Sequence, residues 1–344
     1  MAVDMAERLF AGLFWPDGVR AADADWRTQA WDAIEETGLT LALVPEDAGG
    51  FGLDLREALD LVRVAGGAAV PLPFAETLVA NWLLAKSGLF LPGGALALAI
   101  SATPPRLAAE GGGLRLSGRV PRVPWGRSAR HAVVPAELDG ELRLVLVPKD
   151  AFEIAGELTN LAGEPRDTLA FDLIVPSANL ARLPADLELQ DLLGCAAAIR
   201  AIAIAGALET VLQRSVTYAM ERVQFGRPIG KFQAIQHQLA VMAGHGAMAS
   251  AAAQLAADAF GDLRQRNRIA SAKVVADEAA GTSAAIAHQV HGAIGFAREH
   301  PLHALTLRLW SWRDEYGGAS VWGLDLGRSA IKAGREGLWP LVVG

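Results

Sequence analysis

The spacing of apolar residues changes twice along this chain, and that double change restricts the fold more than any other feature. From residue 1 to about 90 apolar positions recur at helical spacing. Asp23 or Asp25 caps a helix that runs through Trp31 and Ile34 to Thr37 and stops at Gly38. Leu55 to Val64 and Phe74 to Leu84 read as two more helices. From 91 to about 185 Pro and Gly become frequent, and short alternating runs appear at 114–120 (LRLSGRV), 130–136, 141–147 (ELRLVLV) and 168–175 (TLAFDLIV). Period-two runs between turn residues predict antiparallel strands. From 186 to 344 the helical period returns, over 187–221, Lys231 to about Arg264, and Ile269 to about Val290. Long helices with short connections predict an antiparallel bundle. The expected class is α+β: an N-terminal helical domain over 1–90, a middle β-barrel or sandwich over 91–185, and a C-terminal antiparallel helical bundle over 186–344.

At 344 residues the chain exceeds one ordinary compact domain, and its 52% hydrophobic content supplies a large core. A formal net charge of −7 argues against nucleic acid as the main partner, because phosphate binding needs a basic surface. Cys195 is the only cysteine, so neither an internal disulfide nor a cysteine-rich metal site can form. The opening MAVDMAERLFAGLF places Asp4, Glu7 and Arg8 among its apolar residues, unlike a signal peptide. The most apolar segment, Leu192 to Leu208, carries Arg200 near its middle and reads as a core helix rather than a membrane span. These features lead to the expectation of a cytoplasmic protein without a membrane segment.

Three stretches combine special backbone with polar chemistry. The first is RVQFGRPIGKFQAIQHQLAVM, 222–242. It is either an ordinary helix–helix turn or an anion site in which Arg222 meets a phosphate and Gln233 and Gln236 bond a nucleotide's sugar or base. The start of the following helix adds N–H donors for the same anion. The second is QVHGAIGFAREHPL, 289–302, either a helix C-terminus with left-handed glycines or the close approach of a flat ligand to bare backbone. His288 and His291 stand three apart there, without a third ligand to complete a metal site. The third is LWSWRDEYGGASVW, 309–322, where Asp314 and Glu315 lie among Trp310, Trp312, Tyr316 and Trp322. This is either a solvated acidic pair or a carboxylate whose pKa an apolar pocket raises toward that of a general base. No P-loop, no GxGxxG after a strand, no GxSxG elbow and no HExxH occurs.

These stretches resemble the signatures of the acyl-CoA dehydrogenase family. The first is similar to Arg-x-x-Phe-Gly-x-x-Ile, then Phe-Gln-x-x-Gln, then Leu-Ala-x-Met. The second is similar to Gln-x-x-Gly-Gly-x-Gly followed by Glu and Pro, with Ala293 in place of the second glycine. LVPEDAGGFGLD at 43–54 resembles the family's N-terminal Pro-Glu-x-x-Gly-Gly-x-Gly loop. The resemblance implies an acyl-CoA dehydrogenase-like fold, FAD as cofactor, an acyl-CoA substrate and an electron-transferring flavoprotein as electron acceptor. It implies a homotetramer or homodimer, with a second unlike subunit as an alternative. By motif position Arg222 contacts the FAD pyrophosphate of a neighbouring subunit. Phe225, beside Gly226, packs on the cofactor, Gln233 reaches its adenosine half, and Gln289, Gly292 and Ala293 line the dinucleotide. The implied reaction is α,β-dehydrogenation of an acyl-CoA thioester, in which a carboxylate takes the α-proton and the β-hydrogen leaves as hydride.

The sequence departs from the family at the base. Where many members carry Tyr-Glu-Gly-Thr, this chain has Tyr316-Gly317-Gly318-Ala319, and the alternative base position on the first helix of the bundle is Ala196. Glu315 is the preferred substitute and Asp314 the second. The family's Thr-Glu-Pro-Gly-Ala-Gly-Ser-Asp loop is shortened here to a region where Ser101 and Thr103 supply hydroxyls, and Trp125 is placed beside the flavin. Three readings follow. They are a working dehydrogenase with a displaced base, a base-deficient FAD-binding subunit of a heteromeric acyl-CoA dehydrogenase, and a helical interaction protein that has lost flavin.

Overall fold

The computed structural model describes residues 2–13 and 24–343. Four helices come first: α1 (Ala2–Leu13), α2 (Ala24–Glu36), α3 (Leu55–Gly67) and α4 (Phe74–Lys86). Asp23, one of the two expected caps of α2, lies outside the described residues, and Asp25 lies inside the first turn. Eight strands follow: β1 (Leu96–Leu98), β2 (Arg106–Glu110), β3 (Gly113–Pro124), β4 (His131–Leu138), β5 (Glu141–Pro148), β6 (Phe152–Gly156), β7 (Arg166–Val175) and β8 (Leu180–Arg182). The chain then returns to helix with α5 (Leu189–Glu221), a short hairpin of β9 (Val223–Gln224) and β10 (Arg227–Pro228), then α6 (Gln233–Asp258), α7 (Arg266–His291), α8 (Leu302–Trp312) and α9 (Ala319–Val343). Helix gives way to strand between Lys86 and Leu96, and strand to helix between Arg182 and Leu189.

The described residues form two compact units. One holds residues 2–13, 24–61 and 70–195, the other 62–69 and 196–343. In the first, α4 buries ten of its thirteen residues, the pattern of a helix enclosed on all sides. Thr77 on α4 fixes the sheet to it, its hydroxyl accepting from the Leu96 N–H at 3.0 Å. The strands run in the order β6-β7-β3-β2-β4-β5-β8, with β1 parallel to β4. Leu107, Leu116, Val134, Val145, Phe152 and Phe171, from six different strands, share one apolar core, so the sheet wraps around it. Among the described residues no pairing joins β6 to β8, and the barrel is open at that seam.

The second unit is the helical bundle. Helices α5 and α6 are both long and apolar enough to span a bilayer. In α5, 83% of the apolar window is buried in protein, which makes it the core helix of the bundle. In α6 only 33% of the window is buried, and Val241, Met248 and Leu255 are exposed. Close crossing is set by glycine: a Cβ on Gly206 of α5 would stand 1.9 Å from the Arg63 carbonyl oxygen at the end of α3. An Arg63–Glu209 ion pair at 2.8 Å flanks that crossing. Cys195, near the start of α5, is fully buried.

Candidate functional site

The helix–helix turn expected after Arg222 is a hairpin. Val223 pairs with Pro228 and Gln224 with Arg227, leaving Phe225 (φ 51) and Gly226 (φ 79) as the two central residues. Left-handed backbone at both centres suits a tight two-residue hairpin, and glycine accepts it readily. A phenylalanine does so at a cost of about 1 kcal/mol. Phe225 is nevertheless 92% exposed, so its ring gains little from its own chain in return. The Phe232 ring stands edge-on to it at 6.1 Å, and the Arg227 guanidinium lies 4.3 Å over Phe232. Arg222 is exposed beside this hairpin, its carbonyl taken by the Ile229 N–H at 2.8 Å.

Helix α6 begins immediately after Phe232 with no side-chain cap. The two glutamines of the motif now separate. Gln236 donates its amide to the Gly230 carbonyl at 3.0 Å and braces the turn, while Gln233 stands exposed at the helix start. An exposed guanidinium, an exposed ring and an uncapped helix N-terminus fit the pyrophosphate and adenosine of a dinucleotide.

The second motif ends α7. Gln289 is exposed on the last turn, and Gly292 has φ 64 and ψ −145, a conformation restricted to glycine. Ala293, Ile294 and Phe296 continue as an exposed 3₁₀ turn. The two motifs meet through Tyr218, one turn before Arg222. Its ring stacks on His291 at 4.4 Å, and its hydroxyl donates to the His291 carbonyl at 3.2 Å. His288 and His291, considered as metal ligands, are engaged elsewhere. His288 Nε2 lies 2.9 Å from the Thr306 hydroxyl and His291 Nδ1 2.8 Å from the Ala287 carbonyl. Sequence reading missed Tyr218, although its place one turn from Arg222 signals a shared helix face.

The third stretch is organised differently. Arg200 of α5, one turn beyond Ala196, donates its Nε to Glu315 Oε2 at 2.6 Å. The Arg200 side chain is 4% exposed and that of Glu315 15%. The same guanidinium lies 5.6 Å from the centre of the Tyr316 ring. The ion pair thus joins α5, one turn from Ala196, to the turn that carries Glu315. Asp314 is turned outward, its side chain 73% exposed and 3.7 Å from Arg313 Nε. Beneath this turn, fully buried Lys273 bonds Asp277 at 2.6 Å and the Arg313 carbonyl at 2.5 Å. Burial pushes the Asp277 carboxyl up to about 7 and the Lys273 amine down. The acid raised by an apolar setting is thus Asp277, held by a lysine in the bundle interior. Arg200 was legible only as an interruption of an apolar helix.

Two further expectations fall in the sheet unit. The Ser101 hydroxyl accepts the Thr103 N–H at 3.2 Å in a local turn. Trp125, placed beside the flavin from the sequence, is 5% exposed with left-handed backbone and donates its N–H to the Pro165 carbonyl. It packs a turn at the end of β3, where burial of its ring offsets the backbone cost.

Residues 190–319 match the family model described as acyl-CoA dehydrogenase, C-terminal domain. The chain is 30% identical over 300 residues to the acyl-CoA dehydrogenase IpdE2 of Mycobacterium tuberculosis, covering 84% of this chain and 83% of that protein. It is 30% identical over 321 residues to acyl-CoA dehydrogenase FadE34 of the same organism, covering 89% of this chain but 42% of that relative. Among solved structures it superposes on a Tcur3481-Tcur3483 steroid ACAD with a TM-score of 0.84 and 27% identity, covering 96% of this chain and 97% of that one. On the ChsE4-ChsE5 complex from Mycobacterium tuberculosis the TM-score is 0.82 with 25% identity, and 96% of each chain is covered.

Proposed function

The chain belongs to the acyl-CoA dehydrogenase family of FAD-dependent enzymes, and on that premise we propose that it is the base-deficient, FAD-binding subunit of a heteromeric acyl-CoA dehydrogenase. One observation carries this reading: Glu315, the preferred substitute base, is bound by the buried guanidinium of Arg200. A general base must present a lone pair to the proton it removes. Here a guanidinium occupies one oxygen of Glu315, and Lys273 bonds the Arg313 carbonyl two residues before it. Asp314 faces solvent, and Ala196 supplies only a methyl group.

The groups read as cofactor contacts are exposed, with Ala293 standing in place of the family's second glycine. Arg222 pairs with the pyrophosphate, Phe225 packs on the cofactor beside Gly226, Gln233 bonds the adenosine half, and Gln289, Gly292 and Ala293 line the dinucleotide. FAD, when bound, supplies the hydride acceptor for α,β-dehydrogenation of an acyl-CoA, and an electron-transferring flavoprotein takes the electrons onward. The unlike subunit supplies the carboxylate that removes the α-proton. Support for a partner comes from the apolar residues of α6 that this chain leaves exposed. It comes also from the ChsE4-ChsE5 complex and the Tcur3481-Tcur3483 steroid ACAD, each named for two differently named chains. FadE34, of which this chain spans 42%, has length for a second such unit.

Anaerobic addition of a panel of acyl-CoAs to the chain purified alone, followed by flavin absorbance, tests the reading. The expected result is no bleaching by any thioester until a partner chain is added, and no loss of turnover by the assembled enzyme in Glu315→Gln. Bleaching of the lone chain that disappears in Glu315→Gln would make Glu315 the base and the chain self-sufficient.

A further inference from the structure

Beneath the Gly292–Phe296 segment lies a group of rings that the dehydrogenation reading does not use. His288 is sandwiched between Phe296, 4.1 Å away, and Trp310, 5.4 Å away, both nearly parallel to it. His291 stacks on Tyr218 and meets His300 edge-on at 5.0 Å. His288 is 6% exposed and His291 4%.

The hydrogen bonds assign the tautomers. A carbonyl only accepts, so His291 Nδ1 carries the proton that it donates to Ala287. The Thr306 hydroxyl donates to the His303 carbonyl at 3.4 Å, and it therefore accepts from His288 Nε2. Each ring keeps one bare nitrogen, His288 Nδ1 and His291 Nε2, and both are buried without a hydrogen-bond partner. His288 Nδ1 faces Gly295: a Cβ there would stand 3.3 Å from it and 3.0 Å from the His291 Cβ. The segment is seated directly on the two rings.

The groups that act on His288 and His300 are positive or neutral, and the one acid of the intervening turn, Glu299, is exposed. Arg214 and Tyr218 come from α5, His300 from the turn before α8, and His303 from α8, while Arg298 and Glu299 of the intervening turn are exposed. Buried Arg308, further along α8, donates to the Ala304 carbonyl. The charges acting on His288 are those of His291 and His303, and those on His300 include Arg214 and the three other histidines. A proton added to either bare nitrogen thus enters a buried neighbourhood with no acceptor for it among the described residues.

We propose that His288 and His291 are positioning residues that hold the Gly292–Phe296 segment only while both rings are neutral, so that acid loosens the segment and releases the dinucleotide half it lines. The release part rests on the FAD reading above; the hold on the segment does not. Burial keeps His288, His291 and His300 below the ordinary imidazole range. A ring depressed in this way binds its proton more readily once the segment opens. The hold is complete above the free imidazole value of about 6.5 and is lost as pH falls below it. One linked ring raises the open fraction about 10-fold by pH 5.5, and two rings about 100-fold.

Hydrogen exchange of the peptide spanning 289–300, corrected for intrinsic rates, is measured on the full chain with its flavin from pH 7.5 to 5.5. Free flavin is measured by ultrafiltration of the same samples. The expected result is at least a 10-fold loss of protection in that peptide, unchanged protection in a reference peptide from β3, and flavin release with the same midpoint. His288→Phe and His291→Phe keep a ring in each stack and should flatten the profile. Protection that does not change with pH in the wild-type chain overturns the proposal, whether or not the variants fold. Loosening without flavin release leaves the two histidines in their role and overturns the assignment of Gly292 and Ala293 to FAD.

Discussion

The hairpin after α5 and the turn after α8 both carry residues that the family devotes to chemistry, yet they are built in opposite ways. At the hairpin, Arg222, Phe225 and Gln233 are exposed, and Phe225 holds left-handed backbone while its ring meets only the edge-on Phe232 among the ring contacts of the described residues. At the turn, Glu315 is bonded to Arg200, and the backbone of Arg313 is bonded to Lys273, which pairs with Asp277. On the proposed reading, a group kept for a ligand stays uncommitted in the free chain, and a group without a part in the chemistry is absorbed by its neighbours; the contrast between the exposed hairpin and the bonded turn is what that reading rests on.

The largest effect should come from the absorbed region. Arg200→Met leaves the Glu315 carboxylate enclosed without its cation, and denaturant unfolding at pH 7.5 should show a loss of about 3 kcal/mol. Arg200→Met combined with Glu315→Met should recover most of that loss, because the charge to be compensated is gone. A single variant as stable as wild type would mean that the ion pair is not structural. The exposed region should respond in the ligand instead. Arg222→Ala should weaken FAD retention by about 10- to 100-fold, the worth of a charge-assisted hydrogen bond, while thermal unfolding of the flavin-free chain stays unchanged. A shift in unfolding without a shift in retention would invert the assignment. Smallest of all, Phe225→Asn places a residue suited to left-handed backbone at the hairpin tip. The flavin-free chain should gain about 0.5–1 kcal/mol while retaining flavin less well; a loss of stability would show that the exposed ring contributes to its own chain.

Much of this architecture was readable from spacing. The alternating runs at 114–120, 141–147 and 168–175 lie within β3, β5 and β7, and the helical runs at 55–64 and 74–84 lie within α3 and α4. The strands that escaped notice are short: β2 buries only Leu107, β6 has five residues, and β1 and β8 span three each. Strand β8 exists because a strand distant in sequence pairs with it, as Arg143 of β5 does with Arg182. The second bundle helix, expected to reach about Arg264, stops at Asp258, and Gly261 adopts φ 74 just beyond it. The site divides along the same line. Arg222, Gln289 and Gly292 stand in local motifs and could be named from them. The pairing of Arg200 with Glu315 spans 115 residues, and no local pattern announces it.

The buried thiol of Cys195 has a practical consequence. With no other cysteine in the chain and this one enclosed in α5, the wild-type protein is a silent background for thiol-directed dyes and spin labels. A cysteine installed at position 225, at the tip of the exposed hairpin, would be the one reactive thiol. Its probe would report directly, by polarity and mobility, on whether flavin or a second chain covers that tip.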